Sequence, residues 1–315
     1  MKILSFFLLL NLLPTGIFAQ VHESEMILKT PTGDISGTLT FPADLKRAPV
    51  VLIIAGSGPT DRDCNSSIGL KTNAYKYLAE GLEKQGIACV RYDKRAIGKS
   101  RSAAKSEEEL RFETYVDDVV QWVSYLKNDK RFTRIILAGH SEGSLIGIVA
   151  AQKEKVSGLI SIAGVAIPAD EILKEQLKGK LPPSLLAESN KILDSLKAGQ
   201  TIKTPSPELN SLFRPSVQPY LISWMKYNPS KEISKLKIPV LIVQGTTDLQ
   251  VAPENARLLK AAKTDATLKI YENMNHVLKE SSADLQSNYG TYKNPELPLK
   301  AGLVDEMAGF VKTIK

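Results

Sequence analysis

Only two cysteines and three histidines occur in the 315 residues, and their scarcity excludes several kinds of chemistry. Zinc sites need three or four Cys or His ligands at short spacings; no such cluster is present, so no metal is expected. Two cysteines, Cys64 and Cys89, cannot build a disulfide framework, and an oxidising compartment would permit a bridge between them without requiring one. Cys89 lies in the strand-like run Gly-Ile-Ala-Cys-Val-Arg-Tyr, where a small buried thiol is the ordinary reading. A dense basic block is also missing. The 41 lysines and arginines exceed the 34 acids, giving a net charge of +7, but they are dispersed and form no stripe for a phosphate backbone, so no nucleic-acid partner is expected. Nor is there the low-hydrophobicity, high-charge bias of a disordered chain: 43% of residues are hydrophobic and 24% charged, which fits a globular protein of one large domain or two modest ones.

The apolar run over residues 3–13 follows Lys2 and is broken by Pro14 and Gly16. It is about half of the ~20 apolar residues needed to cross a bilayer, so residues 1–19 read as a secretory signal peptide rather than a membrane anchor. Cleavage is expected after Ala19, although Ile17 is large for the small-residue position two places earlier, and no lipobox-like cysteine is present. The expected product is a secreted or periplasmic domain, residues 20–315, without an integral membrane span.

From there the pattern alternates. Strand-like segments at 26–30 and 35–41, joined by Pro31-Thr32-Gly33-Asp34, predict a hairpin. The continuous apolar run at 49–55 suits a strand covered on both faces. Helices are predicted at 73–84, 112–126, 143–153, 253–262 and 301–315, and strands at 87–92, 134–138, 156–162, 238–244 and 266–271. This alternation predicts an α/β fold with a mostly parallel, doubly wound sheet. Residues 168–232 interrupt it with amphipathic helical patterns and several prolines, too long for a connecting loop and suited to a helical lid.

The sharpest motif is Gly139-His140-Ser141-Glu142-Gly143, placed between a strand and a helix. In a G-x-S-x-G turn the serine takes a strained backbone conformation, and the flanking glycines remove side chains that would collide with neighbouring elements. Ser141 is therefore the candidate nucleophile. A serine hydroxyl needs a base oriented by an acid. His22 lies just past the signal segment and His140 points away from the serine, which leaves His276, in the loop after a late strand, as the base. Asp248 follows the strand 238–244 and is the candidate acid, in the chain order Ser, Asp, His; a turn cap is the competing reading. Two backbone N–H groups would receive the oxyanion: that of Glu142, and that of Ser57 in Ala55-Gly56-Ser57-Gly58-Pro59, with Gly58 as the alternative. The Gly-rich loop lacks the spacing of a nucleotide-phosphate site.

These residues resemble the α/β-hydrolase superfamily of serine hydrolases, and within it the esterase and serine-aminopeptidase-like, S33-type branch that carries Gly-His-Ser-Glu-Gly. The run Ala-Gly-Ser-Gly-Pro-Thr-Asp-Arg-Asp at 55–63 and the run Arg-Tyr-Asp-Lys-Arg-Ala-Ile-Gly-Lys-Ser at 91–100 support it. The resemblance covers about residues 25–315 and implies an α/β-hydrolase fold with a helical lid inserted between late strands. Two departures are Ala96, where the family loop has glycine, so that a tight turn there is expected to relax, and Ala55, where many relatives carry histidine. Asp93 and Arg95 either position the oxyanion loop or pair with each other, and the structural reading is the expected one. Asp61, Arg62 and Asp63 are either substrate contacts or a solvated turn. The expected activity is hydrolysis of a small-molecule carboxylic ester of small to medium acyl length, without a cofactor. Leu212, Phe213, Tyr220, Trp224, Met225 and Tyr227 either line an acyl pocket or form the lid's own core. The alternatives are an exopeptidase using the same three residues, with lid acids such as Asp170, Glu171, Glu175, Glu188 and Asp194 holding a free amine, and a non-catalytic binding protein on this scaffold.

Overall fold

The computed structural model describes residues 22–315; the expected signal segment lies outside the described residues. One eight-stranded sheet organises the chain: β1 (Glu23–Thr30), β2 (Gly33–Thr40), β3 (Ala48–Ile54), β4 (Ala88–Tyr92), β5 (Phe132–His140), β6 (Gly158–Ile162), β7 (Val240–Gly245) and β8 (Thr267–Tyr271). The spatial order is β1-β2-β4-β3-β5-β6-β7-β8. β2 is antiparallel to both β1 and β4, and every other pairing is parallel. This is the α/β-hydrolase architecture expected from the sequence. The hairpin is tighter than its Pro-Thr-Gly-Asp signal suggests. Gly33 and Asp34 already pair with Thr30 and Lys29, which leaves a two-residue turn.

Helices cover both faces, which is why the parallel strands read as unbroken apolar runs. Along β3, Val50, Leu52 and Ile54 face one core while Val51 and Ile53 face the other, the period-two alternation of a strand. The first core is closed by α2 (Phe112–Lys127), α3 (Glu142–Lys153) and α9 (Pro253–Ala262), the second by α1 (Ala74–Lys84) and α11 (Leu303–Thr313). Cys64 and Cys89 are buried free thiols. No helix among the described residues is long and apolar enough to cross a membrane.

After β6 the chain makes a helical excursion through α4 (Ala169–Leu177), α5 (Pro183–Lys197), α6 (Asn210–Phe213) and α7 (Gln218–Trp224), returning at α8 (Pro229–Ile233). Its base is a single neck, where Ser230 N–H and Oγ both donate to the Ala166 carbonyl, at 3.2 and 2.7 Å. Leu173, Leu193, Leu196, Phe213, Leu221 and Trp224 of the excursion join the core beneath α2 and α3. A further helix, α10 (Leu285–Thr291), lies in the stretch after β8 that carries no clear period in the sequence.

Candidate active site

β5 delivers the chain into Ser141, whose φ of 56° and ψ of −123° lie far from ordinary non-glycine conformations. The turn is held by Ser141 N–H on the Ile162 carbonyl (2.8 Å) and Ser144 N–H on the Ser141 carbonyl (3.0 Å). Both flanking glycines are sterically required. A Cβ at Gly139 would stand 2.1 Å from the Gly143 carbonyl oxygen, and one at Gly143 would stand 2.3 Å from that of Ile54.

Two more strand ends bring Asp248 and His276 together. His276 Nδ1 and Asp248 Oδ2 are 2.8 Å apart, both side chains buried. A carboxylate only accepts, so Nδ1 carries the proton and Nε2 is left as the acceptor. Gln244 Nε2 donates to the same oxygen at 3.0 Å, while Gln250 and Val251 N–H donate to Oδ1 at 2.8 and 2.9 Å. Burial pushes the Asp248 carboxyl upward, but the neighbouring His276 and these hydrogen bonds outweigh it and hold the group below the usual carboxylate value. The His276 loop crosses directly over β7: a Cβ at Gly245 would meet the Met274 carbonyl oxygen at 1.9 Å, and Thr247 N–H donates to that same oxygen at 3.2 Å. Buried Asn275 pins the loop to α10 through Thr291 Oγ1 at 2.7 Å. Ser141 Oγ makes no hydrogen bond among the described residues, so the link to His276 is open here. Such contacts commonly close only with substrate bound.

The loop after β3 lies against the serine. A Cβ on Gly56 would be 3.0 Å from Ser141 Cβ and 3.2 Å from the His140 carbonyl oxygen. Glu142 opens α3, so its N–H has no intrahelical acceptor, and the Ser57 N–H makes no hydrogen bond among the described residues. Gly58 turns at φ +77°, and its carbonyl accepts Thr60 N–H at 2.9 Å.

Several residues that the motif reading passed over organise this centre. The His140 ring is spent on bracing. Its Nε2 lies 2.8 Å from the His276 carbonyl oxygen, an acceptor, so Nε2 bears the proton and Tyr75 Oη–H donates to Nδ1 at 2.8 Å. The Tyr75 oxygen accepts Gly56 N–H at 3.4 Å. Burial, and next the nearby His276, depress the His140 pKa to about 3, so the ring is neutral. Lys94 is buried with its Nζ on the Gly56 carbonyl oxygen at 2.5 Å. Buried Glu142 accepts the Tyr220 hydroxyl from the excursion.

The other charges near the loop are scaffolding. Asp93 accepts Arg62 N–H, Arg62 Nη2 and Lys99 N–H, all at 2.8 to 2.9 Å. Arg95 forks onto buried Asp118, so Asp93 and Arg95 take separate partners instead of pairing with each other as expected. Asp61 Oδ1 caps the N–H groups of Asp63 and Asn65, and Asp63 pairs with Arg91 at 2.7 Å, so Asp61, Arg62 and Asp63 shape the loop. The turn at Ala96 is not relaxed, contrary to expectation: Ala96 holds φ +66° where glycine would be unstrained. Of the excursion's aromatics, Phe213 and Trp224 are buried in the core with Met225, while Tyr220 and Tyr227 are only partly so.

A mostly parallel sheet with a serine on a strained strand-to-helix turn, and a histidine and an aspartate joined at two later strand ends, defines an α/β hydrolase. Residues 68–281 match the family described as serine aminopeptidase, S33. The chain belongs to that family of serine hydrolases. It is 27% identical over 249 residues to esterase EstD of Thermotoga maritima, covering 78% of this chain; it spans 58% of that relative's length. It is 23% identical over 240 residues to monoglyceride lipase of Rattus norvegicus, covering 68% of this chain and 74% of the relative. In fold it is similar to the α/β hydrolase GrgF from Penicillium, with a TM-score of 0.60 and 20% identity over 93% of this chain and 98% of that one.

Proposed function

We propose that the protein is an esterase that cleaves small-molecule carboxylic esters of small to medium acyl length through Ser141, His276 and Asp248. The observations that carry this reading are the buried Asp248–His276 hydrogen bond at 2.8 Å and a serine held at φ 56° on the turn after β5. In the proposed cycle Ser141 Oγ bonds to the ester carbonyl carbon as its proton passes to His276 Nε2. The oxyanion is received by the N–H groups of Ser57 and Glu142. The C–O bond to the alcohol then breaks, His276 returns the proton to the leaving alkoxide, and water repeats the sequence to free the acid. The esterase and monoglyceride lipase names of the relatives support an ester substrate.

The family description favours a second reading, an aminopeptidase. It needs free acids to hold the substrate amine, and three candidates are already engaged: Asp170 with Lys197, Asp194 with Lys174, and Glu188 with Ser206. The test compares residues 20–315 with the Ser141→Ala variant on a short-chain aryl ester and on an aminoacyl arylamide. Ester turnover that disappears in the variant, by ~10⁶-fold for loss of a triad serine, with the amide untouched, supports the esterase; dominant amide turnover refutes it. Export rests on residues 1–19 and is checked by whether the mature protein begins at Gln20.

A further inference from the structure

Lys94 is 4% exposed, and no carboxylate lies within 4 Å of it to form an ion pair among the described residues. Burial lowers its pKa, and the more distant Glu142 carboxyl opposes that. An ammonium withdrawn from water, which is costly for a charge, makes its hydrogen bond to a backbone oxygen, that of Gly56, with the centre of the Tyr115 ring 5.5 Å away. The carbonyl of Gly56 and the N–H of Ser57 belong to one peptide unit. Because that unit is planar and trans, its oxygen and its hydrogen point in opposite directions. Fixing one fixes the other.

We propose that Lys94 is a positioning residue for the oxyanion hole: its ammonium, anchored on the Gly56 carbonyl, holds the Gly56–Ser57 peptide so that the Ser57 N–H faces the oxygen of the carbonyl that Ser141 attacks. The inference rests on the esterase reading above. Flipping the peptide would strand a buried cation without an acceptor and turn a carbonyl toward the developing negative charge, so the burial of Lys94 penalises the unproductive orientation. The Tyr75 hydroxyl on Gly56 N–H holds the preceding peptide in the same way. A cation on the carbonyl also polarises the peptide and strengthens its N–H as a donor. Glu142 supplies the second N–H, and its buried carboxyl balances the lysine's charge, so both donors and both charges lie in one cluster that the excursion closes through Tyr220.

The test uses Lys94→Met and, because that leaves Glu142 uncompensated, the double variant Lys94→Met/Glu142→Gln, which removes both charges and keeps the Glu142 N–H. Each is assayed for kcat and KM on a short-chain aryl ester, for inhibition by an alkyl trifluoromethyl ketone whose serine adduct carries an oxyanion, and for labelling of Ser141 by a fluorophosphonate mapped to the residue. The expected result is a kcat lower by ~10²-fold, the cost of one oxyanion donor, with KM within about twofold and ketone affinity falling in step with kcat/KM. A merely structural lysine would not move kcat and ketone affinity together while sparing KM. If the folded variants keep the wild-type ketone affinity while wild type hydrolyses ester and labels at Ser141, the role of Lys94 is refuted and the esterase stands. If wild type neither labels at Ser141 nor turns over ester, the esterase reading falls, and the role of Lys94 with it.

Discussion

Replacing Gly56 by alanine should slow ester hydrolysis without unfolding the protein. The added methyl would sit 3.0 Å from Ser141 Cβ, 3.2 Å from the His140 carbonyl oxygen and 3.6 Å from His140 Nδ1. Carbon atoms pack best at about 3.5 to 4.0 Å, so the loop must retreat from the serine by roughly 0.5 to 1 Å. None of the three neighbours is a flexible side-chain end: one is the Cβ of the strained serine, one is backbone, and one is a ring held by Tyr75 and the His276 carbonyl. The loop is therefore the part that moves, and it carries the Ser57 N–H with it. A misplacement of 1 Å costs about 10²-fold in rate, so kcat is expected to drop between about 10- and 100-fold, or roughly 1.4 to 2.7 kcal/mol of transition-state stabilisation. KM should change little, because an oxyanion donor acts on the tetrahedral species more than on the ground-state ester. Steady-state kinetics on a short-chain aryl ester, with thermal unfolding alongside, makes the measurement. A variant with wild-type kcat would show that this loop does not serve the oxyanion.

Two further substitutions test other parts of the structure. Ala96 is exposed and holds φ +66°; a left-handed L-residue costs roughly 1 to 2 kcal/mol, and glycine returns about 0.4 to 1 kcal/mol of that to the unfolded chain, so Ala96→Gly should gain about 0.5 to 1 kcal/mol in urea unfolding, and a loss would contradict the strain. His140 should take up a proton when the protein unfolds in acid. Its folded pKa of about 3 lies below the ordinary 6.5, so its contribution is complete above pH 6.5 and declines as pH falls from there toward 3. The loss approaches about 1.4 kcal/mol per pH unit. Between pH 6 and 5, wild-type stability should fall more steeply than that of His140→Gln, and equal slopes would show that the ring is not held neutral.

What could be read from the sequence was whatever repeats a local rule. Buried strands announce themselves as apolar runs, the excursion by its length, and Ser141 by glycines whose absent side chains prove to be steric necessities. Asp248 and His276 were identifiable because each follows a strand, and the structure joins them. The supporting groups carry no such signal. Lys94 meets Gly56 across 38 residues of sequence, and Tyr75 meets His140 across 65. A lysine after a strand and a tyrosine in an amphipathic helix look ordinary until tertiary packing removes their water. The Ala96 turn departs from its local propensity for a related reason: alanine favours relaxation there, whereas Asp93, Arg95 and Ser100 anchor the backbone on both sides.

The neck at Ala166 and Ser230 makes the excursion an exchangeable part. A chain segment that leaves and rejoins at one hydrogen-bonded point can change length cheaply, since doubling a flexible loop costs only about 0.6 kcal/mol in closure entropy. Sheet register and the three strand ends that carry Ser141, Asp248 and His276 lie outside that segment. A transplanted segment would have to reproduce its attachments to the scaffold, among them the Ser223 hydroxyl that accepts Phe112 N–H at 2.8 Å at the start of α2, the Tyr220 hydroxyl on Glu142, the Arg214–Glu107 ion pair and the Tyr227 hydroxyl on Glu113, together with the apolar side chains that join the core. Sequence change can thus accumulate between residues 167 and 229 while Ser141, Asp248 and His276 stay where they are.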